Sequence, residues 1–342
     1  MSFVVIFLLF SISFICSSSS IWTFWIGLEM FNFFLIPWLS EGVSQMKSVK
    51  VFFYFTIQTL ASGFFVLGGV NCSISTLFYS LAIIGLVIKL GMFPSHLWVL
   101  YVVENMAWKK FSFFMTLGKL GSLFVMSYLQ PMIYFSYPLL SGVLVPMTSL
   151  NSHSLRKMLS LSSISHMSWL MMCLMLSKPL MVVYVSIYWL IFISSCIYIF
   201  NTPSAVTLKD LKVFKRVGLL EVFVLLNLMG FPPFLGFFPK VFTLKAMVNE
   251  GLFVEAVLMS ISALLPFFFY LKMILLYTTL VNKLNVSFSI PNYMTYSLEK
   301  TFIIVISILF IGLETWVVMC MSFINPSLGI LFKSKLDKLK DF

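Results

Sequence analysis

Four ionisable side chains lie inside long apolar stretches of the sequence: Glu29, Lys89, Lys119 and Lys240. If these stretches cross a membrane, a charge at the centre of each costs about 2.5–3.5 kcal/mol on insertion scales. Four such charges would cost about 10–14 kcal/mol, which is comparable to the net stability of a whole domain. We therefore expect these groups to face protein or water rather than lipid. A side chain that snorkels to the membrane surface is the alternative, and it suits Lys240 better than the other three.

Buried lysines beside a carboxylate are suited to moving protons. Desolvation favours the neutral amine, whereas a nearby carboxylate favours the ammonium ion. Two unit charges about 4 Å apart attract by about 4 kcal/mol at an effective dielectric constant near 20. Movement of Glu29 away from Lys89 would therefore change the protonation of that lysine, and lysines linked by water would pass protons along a series.

A polar stripe in another apolar stretch offers one more titratable group. Its members occur at helical spacing: Ser162, Ser165, His166 and Trp169. His166 is a candidate proton relay between two halves of the molecule. A structural histidine with satisfied hydrogen bonds is an alternative of equal weight.

The composition is that of a membrane protein. Of the 342 residues, 61% are hydrophobic and 10% are charged, and the mean hydropathy is +1.05. Soluble domains average about 45–50% apolar and about 25% charged residues. The net charge of +11 comes from basic residues dispersed in short loops, which indicates membrane topology and no nucleic-acid partner. A soluble enzyme, a DNA-binding protein and a secreted scaffold are therefore excluded.

Cysteine and histidine are too sparse for a redox centre. The five cysteines are isolated, with no C-x-x-C pair, and there are three histidines. We interpret the cysteines as small buried hydrophobic residues and expect no metal site. Haem or iron–sulfur chemistry would need more ligands than these.

Polar and Pro/Gly breaks divide the chain into about eleven predicted transmembrane helices, so we expect an all-α membrane protein. The predicted spans are 3–16, 21–39, 51–70, 76–98, 108–129, 132–150, 158–176, 180–200, 217–243, 253–280 and 301–323. Basic residues follow the even-numbered helices, which predicts that the N-terminus lies on the inner side; the basic tail after residue 332 departs from this rule. The first positive charge is Lys47, so we expect a retained first helix and no import signal.

Two spans are interrupted at corresponding positions, a pattern that is typical of an inverted-repeat transporter fold. The fourth contains Lys89–Pro94, and the ninth, five spans later, contains Gly230–Gly236. Gly and Pro interrupt the helical ladder, and paired broken helices are typical of inverted-repeat transporters. We predict one polytopic domain, 1–342, with repeat halves 1–130 and 131–280, a final helix and a short basic tail. Two ordinary proline kinks would explain the breaks equally well.

Four segments carry these charges and breaks: Trp25–Met30 (WIGLEM), Lys89–Trp98 (KLGMFPSHLW), Ser162–Trp169 (SSISHMSW) and Gly230–Lys240 (GFPPFLGFFPK). In this order they resemble the subunit 2 family of respiratory NADH dehydrogenase, an antiporter-like membrane subunit of complex I. The resemblance runs through most of the chain. It implies a fourteen-helix antiporter fold shortened by its first three helices.

The resemblance also implies roles for the residues that match the family's motifs. The family's glutamate–lysine pair falls on Glu29 and Lys89, its central lysine on Lys119 and its distal lysine on Lys240. The flanks of Lys119 lack the tryptophan and proline that are usual in the family.

The resemblance implies a core membrane-arm subunit of a proton-translocating NADH:ubiquinone oxidoreductase. It would lie in the mitochondrial inner membrane with its N-terminus on the matrix side. It would bind no cofactor, because NADH, FMN, iron–sulfur clusters and ubiquinone would belong to other subunits. Its partners would be other antiporter-like and membrane-arm subunits and the lipid bilayer. A stand-alone secondary cation/proton antiporter is the alternative, and a structural spacer with merely paired lysines is a third.

Overall fold

The computed structural model describes residues 2–40, 45–71, 75–104, 106–129, 136–149, 152, 154–200, 219–232 and 234–287. This part of the chain is helical and contains no β-strand, which confirms the all-α prediction. Its helices are α1 Ser2–Ser17, α2 Ile21–Ser40, α3 Gln45–Val70, α4 Thr76–Leu90, α5 Leu97–Val103, α6 Trp108–Met115, α7 Leu117–Leu129, α8 Ser136–Ser149, α9 Leu155–Leu176, α10 Lys178–Phe200, α11 Leu219–Met229, α12 Phe237–Asn249 and α13 Phe253–Ser287.

The described helices have the length and surface of a membrane bundle. Six stretches are long and apolar enough to cross a bilayer. Large apolar side chains on the outside, such as Phe33, Leu77 and Leu190, are 71–75% exposed, which suits contact with lipid. The described helices overlap the first ten predicted spans, and the count of eleven transmembrane helices stays a prediction. The eleventh, 301–323, lies outside the described residues.

Both predicted helix breaks are present. α4 ends before Gly91 (φ 70°) and α11 ends before Gly230 (φ 72°), a backbone conformation that glycine adopts without strain. At each break the glycine N–H bonds to the carbonyl three residues back, and the next N–H bonds to the carbonyl five residues before it. This is the Schellman arrangement that ends helices. The breaks are therefore capped helix ends inside predicted spans.

A third interruption lies at Thr116, within the fifth predicted span, and was not predicted from the sequence. The stretch Trp108–Leu129 is still long and apolar enough to cross a membrane as one span. α6 ends and α7 begins around this residue, whose φ and ψ are −102° and −81°. Its hydroxyl donates to the carbonyl oxygen of Ser112 at 2.8 Å, and the N–H of Lys119 bonds to the carbonyl of Thr116, three residues back. Threonine hydroxyls compete for backbone groups in this way, and the neighbouring Gly118 is a weak helix former.

α9 is the most deeply buried of the candidate spans: 94% of its 18-residue membrane-length stretch is buried, against 33–56% for the corresponding stretches of the others. It is rich in serine, and each buried hydroxyl donates to the carbonyl three residues earlier: Ser160, Ser162, Ser163, Ser165 and Ser168. A serine that is satisfied within its own helix can be buried at little cost, and its small size allows close packing. The serine-rich sequence thus explains how this helix lies inside protein.

The chain forms two compact units. One comprises Met1–Val145 and Arg156–Lys178, and the other comprises Pro146–Leu155 and Pro179–Phe342. The repeat halves expected from the sequence, 1–130 and 131–280, stay a prediction.

Within the first unit, α3 and α4 pack with their backbones close together. A Cβ atom on Gly85 would lie 2.6 Å from the carbonyl oxygen of Ala61 and 2.8 Å from the nitrogen of Phe65. A Cβ atom on Gly68 would likewise strike the backbone of α4. Small residues allow such close approach between membrane helices. Because Gly85 lies one turn before Lys89, this packing determines where the lysine lies.

Substitution of Gly85 by alanine is expected to push α3 and α4 apart and to destabilise the protein by about 1–3 kcal/mol. Gly63→Ala is the matched control, because a Cβ atom on this exposed glycine of α3 meets nothing within 4 Å. We expect it to be neutral or slightly stabilising. Thermal unfolding of the detergent-solubilised protein measures both. Equal melting temperatures for the two variants would contradict the close packing.

Candidate functional site

The first predicted pair of charges forms an ion pair. Nζ of Lys89, on α4, lies 3.6 Å from Oε1 of Glu29, on α2. The lysine side chain is 3% exposed and the glutamate side chain 27% exposed. Lys89 belongs to the last turn of α4, where the negative end of the helix dipole favours a cation. The buried amine is thus stabilised by a carboxylate and by the helix end.

The break after Lys89 is closed by a tryptophan from the next helix. The indole N–H of Trp98, on α5, donates to the carbonyl oxygen of Ile88 at 3.1 Å, at the open end of α4. His96 lies between the two helices, with its ring 6.2 Å from that of Phe93, and is 7% exposed. A carbonyl at the end of α4 is therefore hydrogen-bonded by a protein side chain.

Lys119 has an uncharged partner. Its Nζ, on α7, donates to Oγ of Ser163, on α9, over 3.4 Å, and the serine in turn donates to the carbonyl of Ser160 over 2.7 Å. The lysine is 4% exposed. Ser163 was not among the predicted site residues, although it lies within the SSISHMSW motif beside the residues of the predicted stripe. The absence of an acidic partner at Lys119 in the described structure distinguishes it from Lys89.

One cavity in the first unit is lined by both of these lysines. It offers about 20 Å³ to the centres of water molecules. Its polar lining residues come from α2, α3, α4 and α7: Asn32, Tyr54, Gln58, Lys89, Lys119 and Ser122. The rest of the wall is formed by apolar residues and glycines: Leu28, Phe31, Trp98, Phe114, Gly118 and Gly121. The helices therefore bring two residues, predicted as members of one series, to the same polar space.

Lys240 lies in the second unit, at the second break. Its Nζ donates to the carbonyl oxygen of Met229, the last residue of α11, at 2.8 Å. A side chain on Gly230 would collide with this amine, because its Cβ atom would lie 2.8 Å from Nζ. Lys240 is 2% exposed, so the alternative of a snorkelling side chain is wrong. The glycine of the break thus makes room for the lysine that binds the helix end.

His166 is buried on α9, three residues after Ser163, and is 7% exposed. Its function as a relay stays a prediction. Among the residues that the structure describes, no three His, Cys, Asp or Glu side chains are grouped so that they could hold a metal ion.

A second charged cluster lies at the helix ends, around Glu104 in the connection after α5. Its carboxylate oxygens lie 2.8 Å from Nζ of Lys157 and 3.2 Å from Nζ of Lys50. The hydrogen bond from Lys157, followed by that from Lys50, lowers the pKa of Glu104. Arg156 donates to the main-chain oxygen of Glu104 at 3.2 Å and lies 4.8 Å from the centre of the Trp108 ring. One residue thus joins the ends of α3, α5 and α9.

The chain is similar to known membrane proteins. The family described as NADH:quinone oxidoreductase/Mrp antiporter, TM, matches residues 56–266. NADH-ubiquinone oxidoreductase chain 2 of Artemia franciscana is 33% identical over 270 residues, which are 78% of this chain and 87% of the relative. The chain 2 protein of Xenopus laevis is 27% identical over 326 residues, which are 90% of this chain and 94% of the relative.

Solved structures share the fold. A chain of respiratory complex I from Thermus thermophilus superposes with a TM-score of 0.71 at 18% identity, covering 95% of this chain and 78% of that one. A chain of the Mrp complex from Dietzia superposes with a TM-score of 0.66 at 13% identity, covering 79% and 59% of the two chains. At these identities the likeness concerns the fold alone.

Replacement of Glu104 by glutamine is expected to lower stability by less than about 1 kcal/mol, because the carboxylate is 38% exposed and screened by solvent. Since folding lowers the pKa of Glu104, its contribution is complete above the ordinary value of 4.5. It is lost as the pH falls below 4.5 through the pKa of the folded protein. Thermal unfolding of both proteins across pH measures this, with Glu250→Gln, an exposed residue after α12, as control. If the stability difference between the unsubstituted protein and Glu104→Gln increased as the pH fell, the stabilising function of the Glu104 carboxylate would be contradicted.

Proposed function

The chain belongs to the NADH:quinone oxidoreductase/Mrp antiporter family, and we propose that it is a proton-translocating membrane subunit of a respiratory NADH:ubiquinone oxidoreductase. The chain 2 relatives are named as parts of that enzyme, and they align with this chain over most of their length. The chain 2 protein of rabbit, 30% identical over 293 residues, also supports this. Its partners are then the other antiporter-like and membrane-arm subunits.

The shared cavity of Lys89 and Lys119 is the observation that carries this proposal. A bundle that only needed stability would gain little from two buried amines around one polar space, because burying a charge costs several kcal/mol after relaxation. Lys89 is balanced by Glu29 at 3.6 Å, whereas Lys119 meets only a serine hydroxyl among the described residues. This asymmetry suits a proton that leaves one lysine and reaches the other.

The mechanism follows from the ion pair. While the carboxylate of Glu29 lies beside Lys89, it favours the ammonium ion. When the carboxylate moves away, the desolvated ammonium is no longer compensated and releases its proton toward the cavity. Lys119 is then the acceptor, Lys240 is the distal member of the series, and His166 is a further candidate relay.

Redox chemistry belongs to other subunits in this proposal. NADH, FMN, the iron–sulfur clusters and ubiquinone would be bound elsewhere in the complex, and this chain would catalyse no electron transfer by itself. It would supply the membrane path for protons that the redox reaction drives. The likeness to the Thermus complex I chain supports an antiporter fold for this task.

The finer architecture is also part of the proposal. It comprises eleven transmembrane helices, an inverted repeat, and an N-terminus on the matrix side of the mitochondrial inner membrane. The matching caps at Gly91 and Gly230 support the repeat, because the two breaks end their helices in the same way.

A stand-alone secondary cation/proton antiporter is the second candidate, and the description of the matching family, which names the Mrp antiporter, favours it. Both functions use intramembrane charges, so the charges do not distinguish them. Purification of the protein does. A subunit of the respiratory enzyme is expected to co-purify, in mild detergent, with a large assembly that oxidises NADH. Migration of the chain without NADH-oxidising activity would favour the antiporter instead.

Replacement of Lys119 by methionine is expected to leave the complex assembled and to abolish coupled proton translocation, because the acceptor amine is removed while an unbranched apolar side chain of similar shape remains. Lys109→Met, an exposed lysine at the start of α6, is the matched control and should pump normally. Proton uptake driven by NADH in reconstituted vesicles measures both variants.

Unchanged translocation in the assembled Lys119→Met enzyme would remove this lysine from the mechanism. If the chain is instead a structural spacer with merely paired lysines, neutralising Glu29 and Lys89 together should cost little proton-translocating activity. Under the proposal, the double substitution also stops pumping, because the donor amine is lost.

A further inference from the structure

The cavity between Lys89 and Lys119 is too small for a chain of waters. Its volume of about 20 Å³ for water centres compares with about 10–15 Å³ that one water needs on this measure. It therefore holds about one water. Side-chain groups on the wall must then complete any proton path across it.

Tyr54 and Asn32 form a buried polar pair on this wall. The hydroxyl of Tyr54, on α3, donates to Oδ1 of Asn32, on α2, over 3.0 Å. The two residues are 3% and 4% exposed. The tyrosine ring packs against the rings of Trp98 and Phe114, with centroids 5.8 and 5.7 Å away, which holds the hydroxyl in place. The single hydroxyl proton of Tyr54 is used in the hydrogen bond to Asn32. The lone pairs of the Tyr54 oxygen therefore remain available to accept a hydrogen bond from another group.

The hydroxyls of Ser163 and Ser122, near Lys119, also donate their protons in hydrogen bonds to main-chain carbonyls. Ser163, which accepts from Lys119, donates to the carbonyl of Ser160, and Ser122 donates to the carbonyl of Lys119 over 3.0 Å. Neither serine can give its proton to Lys119 without losing a buried hydrogen bond. The cavity, whose wall offers acceptors for a protonated carrier, is therefore a more suitable route to Lys119 than these two serines.

We propose that the hydroxyl of Tyr54, oriented by Asn32, positions the water that carries protons from Lys89 to Lys119. This inference rests on the function proposed above. In one transfer the ammonium of Lys89 gives a proton to the water, and the water gives one proton to the neutral amine of Lys119. Lys89 ends neutral, Lys119 ends charged and the water is regenerated. Tyr54 accepts a hydrogen bond from the hydronium-like species between these two steps and so stabilises it.

The test uses the assembled respiratory enzyme in reconstituted vesicles. Tyr54→Phe keeps the ring and its packing but removes the acceptor. The rate of NADH-driven proton translocation is expected to fall about tenfold, which corresponds to one hydrogen bond to a charged group. The solvent deuterium isotope effect on that rate should rise, because proton transfer becomes the slow step. Tyr184→Phe, which removes the hydroxyl of a buried tyrosine on α10, is the matched control and should pump normally.

A double variant separates this function from a merely structural one. Tyr54→Phe alone leaves Oδ1 of Asn32 without its donor, whereas Tyr54→Phe with Asn32→Leu removes both polar partners and should regain stability. The proposal expects the double variant to stay as slow as Tyr54→Phe. Recovery of the rate together with stability would overturn the proposal.

Lys119→Met in the same assay distinguishes the two levels of inference. If Tyr54→Phe pumps like Tyr184→Phe while Lys119→Met does not pump, the positioning function of Tyr54 is wrong and the proposed function stands. If Lys119→Met itself pumps normally, the proposed function is wrong.

Discussion

An amine inside an apolar helical bundle needs a polar partner from the protein, and the described structure meets this need in three ways. Lys89 has a carboxylate, Lys119 has a serine hydroxyl, and Lys240 has the carbonyl at a helix end. The partners differ in charge, so the three amines differ in how strongly the protonated form is favoured. Under the proposed function, such differences would bias a proton toward one amine or the other.

The helix breaks provide part of this chemistry. A continuous helix bonds all its central carbonyls internally, whereas a break leaves carbonyls at the end of the first segment. Lys240 binds such a carbonyl at the end of α11, and the indole of Trp98 binds one at the end of α4. The glycines with positive φ end the segments, and Gly230 also leaves the space that the amine of Lys240 occupies. Composition, backbone geometry and site chemistry are therefore linked at these two positions.

Much of the site could be predicted from residue type alone, because charges in apolar stretches are costly and glycine with proline disrupts helices. This reasoning found the pair Glu29–Lys89 and both capped breaks. It did not find the break at Thr116, where a common residue competes for a backbone carbonyl. Nor could the contact between Tyr54 and Asn32 be predicted. The two helices are apolar on all faces, so no amphipathic stripe indicates which faces meet. Those contacts depend on the close packing of neighbouring helices.

The central claim is that Lys89 and Lys119 exchange protons through one hydrated space, and the positions of water in the assembled enzyme test it most directly. A structure at a resolution that reveals ordered water should place one molecule within hydrogen-bonding distance of the Tyr54 hydroxyl and between the two amines. A dry contact of apolar side chains separating Lys89 from Lys119 in every state of the working enzyme would contradict the account.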